Sequence, residues 1–417
     1  MRSRLLPTLF LALVLLPGFG AAQETGQNTG QHQGRPADPA ALTDRAEAGD
    51  VAAMTALAFL YHGGQEVLQD FTAAATWATR AGEAGDPRAQ NLLGQYYHTG
   101  LGVPRDSDQA LRWLGMAAES GDPQFLFDYG AALEQSADRT AEAATVYARA
   151  AEAGHVDAAV SLGVLYQEGR GVETDYARAL ALYEGAAARG HARALNNLGL
   201  LYVRGHGVAQ DYQKAASLFA AAAEQGLDQA LTNLGVMYEN GFGVELDEAR
   251  AAALYREAKR GAEGPGLRYD PRLMPPPEDP ALQQALLRAA EAGDPVAAFQ
   301  SGWLLTGTPG ASTVDLSRAA RLFHAAARAG HGPSMINLAL LYFDGRGVPQ
   351  DYVLGQMWLI LASAAQMPDA LTLSRHFHAR MTPGQITEAQ ERAQERALVG
   401  GAPQEQPGTP RPRAGDR

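Results

Sequence analysis

The chain has 417 residues, of which 46% are hydrophobic and 19% charged, with a formal net charge of −12 at neutral pH and no cysteine. The acidic balance and the lack of a Lys/Arg stripe argue against nucleic-acid binding, because phosphate neutralisation needs a basic face. The missing cysteines exclude disulfides, thiolate metal sites, a cysteine nucleophile and lipid attachment through a lipobox cysteine.

The first predicted element is a signal peptide over residues 1–22. Two arginines precede an apolar run from Leu5 to Leu16, and small residues follow up to Ala22. A basic start, about a dozen apolar residues and a small-residue cleavage site are typical of a secretory signal, and the run is too short to span a bilayer. We expect cleavage between Ala22 and Gln23, which predicts a periplasmic or secreted protein.

Residues 23–38 are rich in Gln, Gly and Thr without periodic apolar positions, which predicts a flexible linker. After it the sequence repeats itself about every 36 residues. One recurring position is mostly tyrosine: Tyr61, Tyr97, Leu133, Tyr166, Tyr202, Tyr238, Leu305 and Tyr342. A second is aromatic throughout: Trp77, Trp113, Tyr147, Tyr183, Phe219, Tyr255, Phe323 and Trp358. Apolar residues in each unit fall at helical spacing, so each unit is predicted to be two short antiparallel helices.

The joints between the two helices have a chemical signature. Glycine pairs such as Gly205 and Gly207 are predicted to end the first helix at positive φ. An aspartate then follows, whose carboxylate can accept hydrogen bonds from the free amides at a helix N-terminus. The predicted N-caps are Asp70, Asp106, Asp138, Asp175, Asp211, Asp247, Asp315 and Asp351.

The repeats are predicted to form two solenoid segments, over residues 39–261 and 281–398. Residues 262–280 between them contain Pro275, Pro276 and Pro277. Proline cannot continue a helix, so this stretch is predicted to be an insertion or hinge.

A half unit precedes the first full repeat of each solenoid segment, from Ala41 to Gly49 and from Ala281 to Gly293. At the other end, a polar helix from Ile386 to Leu398, with Thr382 or Thr387 as its cap, is predicted to close an open-ended stack. Residues 399–417 are predicted to be disordered.

The run from Ala194 to Ala215, ALNNLGLLYVRGHGVAQDYQKA, resembles the Sel1-like repeat (SLR), a relative of the tetratricopeptide repeat. The closing stretch from Trp358 to Ile386 resembles the ending of many exported bacterial SLR proteins. The resemblance covers about residues 41–398 and implies an all-α, right-handed superhelix of about eight helix-turn-helix repeats, with a concave face for proteins or peptides. The third unit departs from the pattern by lacking the glycine pair, and the seventh by its turn at residues 308–310.

No motif of a serine hydrolase, zinc protease, phosphate loop or calcium loop is present. His155, His191 and His331 occupy one repeat position and are a repeat or more apart, so they cannot share a metal ion. No catalytic, cofactor or metal site is therefore predicted. Some cysteine-rich SLR proteins are associated with cell-wall or β-lactam chemistry, so a peptidoglycan-associated hydrolase or β-lactamase-like protein is one alternative, although their framework depends on disulfides. A secreted protein that acts on another cell is another alternative.

The binding hypothesis names residues of the first helices. Relative to the recurring first-helix glycine, positions −3, +1 and +4 share one helical face, and the corresponding face lines the groove in tetratricopeptide relatives. The candidate partner-binding residues are Asn91, His98, Phe127, Asn196, Leu200, Phe299, Trp303, Ile336, Leu340 and Phe343.

The apolar members in the last two repeats would be anchors for a partner if exposed. The alternative is that superhelical curvature or the insertion buries them as ordinary packing. We predict a non-enzymatic scaffold or regulator of the bacterial envelope with a protein or peptide partner, and we leave open peptidoglycan as a further ligand.

Overall fold

The computed structural model describes residues 39–64, 66–262, 266–307 and 311–400. These residues form twenty α-helices and one short 3-10 helix, with no strand among them. The predicted signal peptide and linker, residues 308–310 of the seventh turn, and residues 401–417 lie outside the described residues. The all-α prediction is confirmed.

Eight helix pairs follow one another, each a first helix, a turn and a second helix. They are α2 (Val51–Gly63) with α3 (Phe71–Glu83), α4 (Pro87–Thr99) with α5 (Ser107–Ala118), α6 (Pro123–Glu134) with α7 (Thr140–Glu152), α8 (Val156–Glu168) with α9 (Tyr176–Ala187), α10 (Ala192–Arg204) with α11 (Tyr212–Ala223), α12 (Asp228–Asn240) with α13 (Glu248–Ala262), α15 (Pro295–Gly307) with α16 (Thr313–Arg328), and α17 (Gly332–Asp344) with α18 (Tyr352–Ala364). The predicted half units are the single helices α1 (Pro39–Glu47) and α14 (Pro280–Glu291), and the chain ends with α19 (Ala370–His378) and α20 (Pro383–Gly400).

From α1 to α13 and from α14 to α19, each helix packs mainly against the helix before it and the helix after it, as in a solenoid. The first helices of neighbouring pairs also approach one another, as α2 does α4 and α4 does α6. This places the first helices on the inside of the curve. We call the surface formed by the first helices the inner face.

The recurring aromatic residue of the second helix explains the recurring glycine of the first. A Cβ added to Gly163 would lie 2.6 Å from the ring of Tyr183, and one added to Gly199 would lie 2.7 Å from the ring of Phe219. Each ring therefore packs directly on the backbone of its partner helix, where any side chain would collide with it. The recurring glycine and the recurring aromatic residue are thus the two partners of one packing contact.

The glycine pairs in the turns have two different roles. Gly205 and Gly207 both have positive φ, 68° and 71°. A Cβ on Gly205 would meet its nearest neighbour at 3.5 Å, whereas one on Gly207 would lie 2.8 Å from the carbonyl oxygen of Tyr176, in the preceding repeat. The first glycine ends the helix, and the second lets the turn lie against the start of α9.

Replacing each of these glycines with alanine separates the two roles. Gly205→Ala is expected to lower the free energy of unfolding by about 1 kcal/mol, the conformational cost of a left-handed alanine. Gly207→Ala adds a backbone collision, so its loss is expected to reach about 2–3 kcal/mol. Urea unfolding followed by circular dichroism measures both variants, and equal losses would contradict the proposed contact between repeats.

The structure confirms most of the predicted aspartate caps. Carboxylate oxygens accept from backbone amides at the start of the second helix at Asp70, Asp106, Asp175, Asp211, Asp247 and Asp351. Asp138 and Asp315 were wrong as N-caps. Asp138 lies in the 3-10 helix Ala137–Arg139, which takes the place of the missing glycine turn. Asp315 is the third residue of α16 and forms a capping box with Ser312.

The last helix packs on α18 of the last repeat, as a closing helix would, and it also contacts the first repeat, so the stack that it closes is not open-ended. Ile386, Ala389, Gln390 and Ala393 form one buried stripe of α20, at the spacing i, i+3, i+4 and i+7. The amide of Phe71 donates to Oε1 of Gln390 at 3.3 Å, and Ile386 joins the apolar cluster of the N-terminal helices. Thr382 accepts from the amide of Gln385 as the cap. The two ends of the repeat array therefore meet.

Candidate protein-binding groove on the inner face

Positions on the inner face are counted from the recurring first-helix residue: Gly94, Gly130, Gly163, Gly199, Gly235, Gly302 and, in the last repeat, Ala339. In the N-terminal repeats this face carries a buried polar network. Asp128, at position −2 of α6, is 1% exposed and accepts from Asn91 and Gln95 at 2.8 Å and from Gln124 at 2.9 Å. Burial raises the pKa of Asp128 to about 6, although the three amide donors favour the charged form.

The same link between repeats recurs further along. Nδ2 of Asn233, at position −2 of α12, donates to Oδ1 of Asn196, at position −3 of α10, at 2.8 Å. In both pairs of repeats, the side-chain amide at position −3 thus bonds to the side chain at position −2 of the next repeat. The predicted groove residues Asn91 and Asn196 therefore hold repeats together, and both are buried.

Two other predicted groove residues of the N-terminal half also have partners within the chain. The ring of Phe127 is buried and stacks on His155 at a centroid distance of 4.5 Å. The imidazole of His98 lies 2.7 Å from the amide nitrogen of Gln135, where both side chains are accessible to solvent.

The apolar residues predicted in the last two repeats are mostly core. Phe299, Ile336, Leu340 and Phe343 are all buried in the C-terminal cluster, so the interpretation as exposed anchors does not hold for them. Phe343 stacks on Phe377 of α19 at 3.6 Å between ring centroids.

The insertion covers the predicted groove residues of α15. Tyr269 lies against Phe299 and Trp303, at ring-centroid distances of 5.5 and 5.2 Å, and Trp303 stays half-buried. Burial by the insertion was the alternative interpretation. The additional covering by α19 could not be foreseen from the repeat pattern, because α19 lies outside it.

The middle repeats leave an apolar stripe partly accessible. Val164, Leu200 and Val236 occupy position +1 of three consecutive first helices, and all three are half-buried. Leu200 was a predicted groove residue. Val164 was missed, although its place in the +1 column identifies it. We call these three residues the middle stripe.

The edge of the middle stripe follows a rule that links two positions. Where the second-helix aromatic is tyrosine, its hydroxyl bonds to a polar residue at +4: Tyr147 to Glu134 at 2.8 Å and Tyr255 to Glu239 at 2.9 Å. Where the aromatic is Phe219, position +4 holds the apolar Val203. Val203 thereby widens the apolar surface next to Leu200.

Sequence reasoning also missed position −2, which is polar in six repeats: Asp128, Ser161, Asn197, Asn233, Gln300 and Asn337. Polar residues at a fixed place in an apolar helix are the signal that could have found them. The two last members bind main-chain atoms of the insertion. Asn337 bonds to the backbone of Arg268, and Nε2 of Gln300 donates to the carbonyl oxygen of Met274 at 3.0 Å.

The histidines at the repeated position are helix caps. Nδ1 of His155, His191 and His331 accepts from the amide three residues later, at 3.2–3.3 Å. Burial lowers the pKa of His155 and His331, which keeps Nδ1 free to accept. In the described part of the chain no three His, Asp or Glu side chains are arranged to hold a metal ion. None of the described helices is long and apolar enough to cross a bilayer.

Comparison with known proteins agrees with this repeat architecture. The model of the Sel1 repeat matches residues 51–86, 87–122, 156–191, 192–227, 228–261, 295–331 and 332–366. The unmatched pair, α6 with α7, is the one that lacks the glycine turn. No curated protein matches the chain.

Several solved structures are similar. A protective antigen with an SLR fold from uropathogenic Escherichia coli is 26% identical, over 87% of this chain and 88% of that chain, with a TM-score of 0.48. A Sel1 repeat protein from Oxalobacter formigenes is 26% identical over 53% of this chain and 97% of that chain, with a TM-score of 0.47. An immunity protein from Pseudomonas aeruginosa is 24% identical over 55% of this chain and 90% of that chain, with a TM-score of 0.35. With seven matched repeats that span more than half of its length, the chain belongs to the Sel1 repeat family.

Proposed function

We propose that this chain is an exported, non-enzymatic scaffold of the bacterial envelope that binds a protein partner along its inner face. The observation that carries the proposal is the middle stripe. Three apolar side chains at one register position stay half-buried, next to residues whose polar groups are already engaged within the chain. A row of apolar side chains with a polar border is the surface that a partner helix or extended segment covers.

Two further features support this function. Proteins of Sel1-type repeats generally act as protein-interaction scaffolds, and the inner face of a solenoid offers a long, continuous binding surface. The basic and apolar start of the sequence, up to Ala22, supports export with the mature chain beginning at Gln23.

The test is affinity capture from envelope extract with the mature chain, comparing wild type with Leu200→Asp/Val236→Asp. The matched control is Leu282→Asp/Val314→Asp, since these apolar side chains are 56% and 74% exposed on α14 and α16. We expect one protein to be retained by wild type and control at equal levels, and to be reduced at least tenfold by the middle-stripe variant. Circular dichroism checks that all three are folded.

Two results would contradict the proposal. One is capture that the middle-stripe variant does not reduce. The other is no captured protein together with retention of the mature chain on purified cell wall, which would favour the peptidoglycan alternative.

A further inference from the structure

Residues 266–270 cross the inner face of the C-terminal repeats without forming a helix or a turn. Exposure alternates over the first four of them: Gly266 and Arg268 are exposed, whereas Leu267 and Tyr269 are half-buried against the core of α15 to α18, and the next residue, Asp270, is buried as well. Alternating burial is how an extended segment presents every second side chain to a surface. The segment from Gly266 to Met274 is hereafter the inner-face segment.

One side chain pairs with both main-chain polar groups, the N–H and the C=O, of a single residue in this segment. The amide of Arg268 donates to Oδ1 of Asn337 at 2.8 Å, and Nδ2 of Asn337 donates to the carbonyl oxygen of Arg268 at 2.8 Å. A primary amide that pairs with one residue's N–H and C=O copies the bonding of a neighbouring strand. It recognises an extended backbone without regard to the side chain at that position.

The reason that Asn337 is available lies in the preceding repeat. Asn233 and Asp128, at the same position −2, are bonded to an asparagine at −3 of the repeat before them. Before Asn337 that position holds Phe299, whose ring offers no amide. With phenylalanine in that place, the amide of Asn337 forms no link between repeats there and bonds to the backbone of Arg268.

Side-chain pockets flank this pair of hydrogen bonds. The ring of Tyr269 lies on Phe299 and Trp303, and its hydroxyl accepts from Nε2 of Gln300 at 2.9 Å. The next residue, Asp270, is 2% exposed and lies 3.6 Å from Nε2 of His331, with Arg272 paired to it from the solvent side. Arg268 pairs with Asp369 at the start of α19.

We propose, resting on the scaffold function proposed above, that the inner-face segment is an internal occupant of a second binding site, which receives an extended partner segment carrying an aromatic residue followed by an acidic one. The site consists of Asn337 and Gln300 for the backbone, Phe299 and Trp303 for the ring, and His331 for the carboxylate. A partner with that pattern exchanges with residues 266–274.

Exchange is compatible with how the segment is attached. It belongs to no helix, so its departure unfolds none, and its outer side chains are accessible, with Met274 82% exposed. Pro271, Pro275 and Pro276 each fix φ, and Pro271 lies in a turn closed by the bond from the amide of Leu273 to the carbonyl oxygen of Asp270, which lowers the entropy lost on docking. A tethered segment competes at an effective concentration of about millimolar, so it keeps weak ligands out and admits a tighter one.

The test uses a fluorescent peptide of residues 266–276 and the full mature chain. Wild type is expected to bind the peptide weakly, because its own segment fills the site. Tyr269→Ala/Asp270→Ala weakens the internal segment but keeps the receiving side chains, and is expected to bind the peptide at least tenfold more tightly. Adding Asn337→Ala to that variant is expected to abolish the gain, as is changing the tyrosine of the peptide to alanine or its aspartate to asparagine.

A second emptied variant, with residues 266–276 replaced by a Gly/Ser stretch of equal length, guards against misfolding of the first. If both emptied variants are helical by circular dichroism and neither binds the peptide better than wild type, the segment is a fixed part of the fold and the proposal is overturned. If the peptide test fails in this way but partner capture from envelope extract still depends on Leu200 and Val236, the scaffold function is retained and only the second binding site is rejected. If the emptied variants bind the peptide but no capture depends on Leu200 and Val236, this site is supported and the middle stripe is rejected as a partner-binding surface.

Discussion

Acidification from about pH 7 to about pH 4.5 is expected to destabilise the contact between the two ends of the repeat array. His62 at the end of α2 and His378 at the end of α19 are half-buried there, and Phe71 packs against both rings, at centroid distances of 5.6 and 6.0 Å. Burial lowers the pKa of each imidazole to about 4, with Arg375 adding to the effect on His62 and His62 to that on His378. Both histidines therefore stay neutral in the folded chain.

The sign follows from proton binding. The unfolded chain takes up protons at both histidines below about pH 6.5, whereas the folded chain does so only near pH 4, so stability falls across this window. By about pH 4.5 the loss is about 2–3 kcal/mol for each histidine. Asp128 works in the opposite direction, because its raised pKa of about 6 makes the folded chain bind a proton first, a gain of about 2 kcal/mol. The histidines outweigh it.

Urea unfolding at a series of pH values measures this balance. His62→Gln/His378→Gln is expected to flatten the acid side of the profile, whereas Asp128→Asn is expected to steepen it by removing the opposing gain. An unchanged profile in the histidine variant would show that the two imidazoles titrate normally and that the ends of the array do not exclude water from them.

Phe343→Ala is expected to lower the free energy of unfolding by about 3–5 kcal/mol, as for a fully buried aromatic residue. The ring is 2% exposed, stacks on Phe377 and contacts Tyr352 at a centroid distance of 5.7 Å. Trp303→Ala is expected to lose only about 1–2 kcal/mol, because Trp303 is half-buried and its neighbour Tyr269 belongs to the inner-face segment.

Phe377→Ala and the double variant Phe343→Ala/Phe377→Ala test whether the loss comes from the stacked contact between the two rings. Because the two rings form one contact, the double variant should be more stable than the sum of the single losses predicts. Full additivity would contradict the stacked contact between the two rings. A Phe343→Ala variant that unfolds like wild type would return Phe343 to the list of accessible groove residues.

The repeat architecture could be predicted from sequence because two columns at one period leave few alternatives. Glycine at Gly199 and an aromatic at Phe219 are both local consequences of one packing contact, so a single chain records them repeatedly. The aspartate caps follow the same logic. Asp138 and Asp315 failed because the third and seventh units replace the glycine turn, and a local rule then assigns the wrong residue.

The groove was harder to predict, because exposure depends on residues distant in sequence. Phe343 has the spacing of a groove residue, but α19 covers it, and nothing within its repeat encodes that covering. Asn337 appears in sequence as an ordinary polar residue, and its role depends on Phe299, 38 positions earlier. Position −2 was a recoverable signal, since its polar character recurs in six repeats, and so was Val164 in the +1 column.

Amide hydrogen exchange of the mature wild-type chain and the Asn337→Ala variant tests most directly whether the inner-face segment is held as a ligand is held. We predict that exchange over residues 266–274 becomes at least tenfold faster in the variant, while α15 and α17 keep their wild-type protection. If the segment and the helices lose protection together, or if the segment exchanges as in wild type, Asn337 does not act as a separable clamp and the segment is an integral part of the C-terminal core.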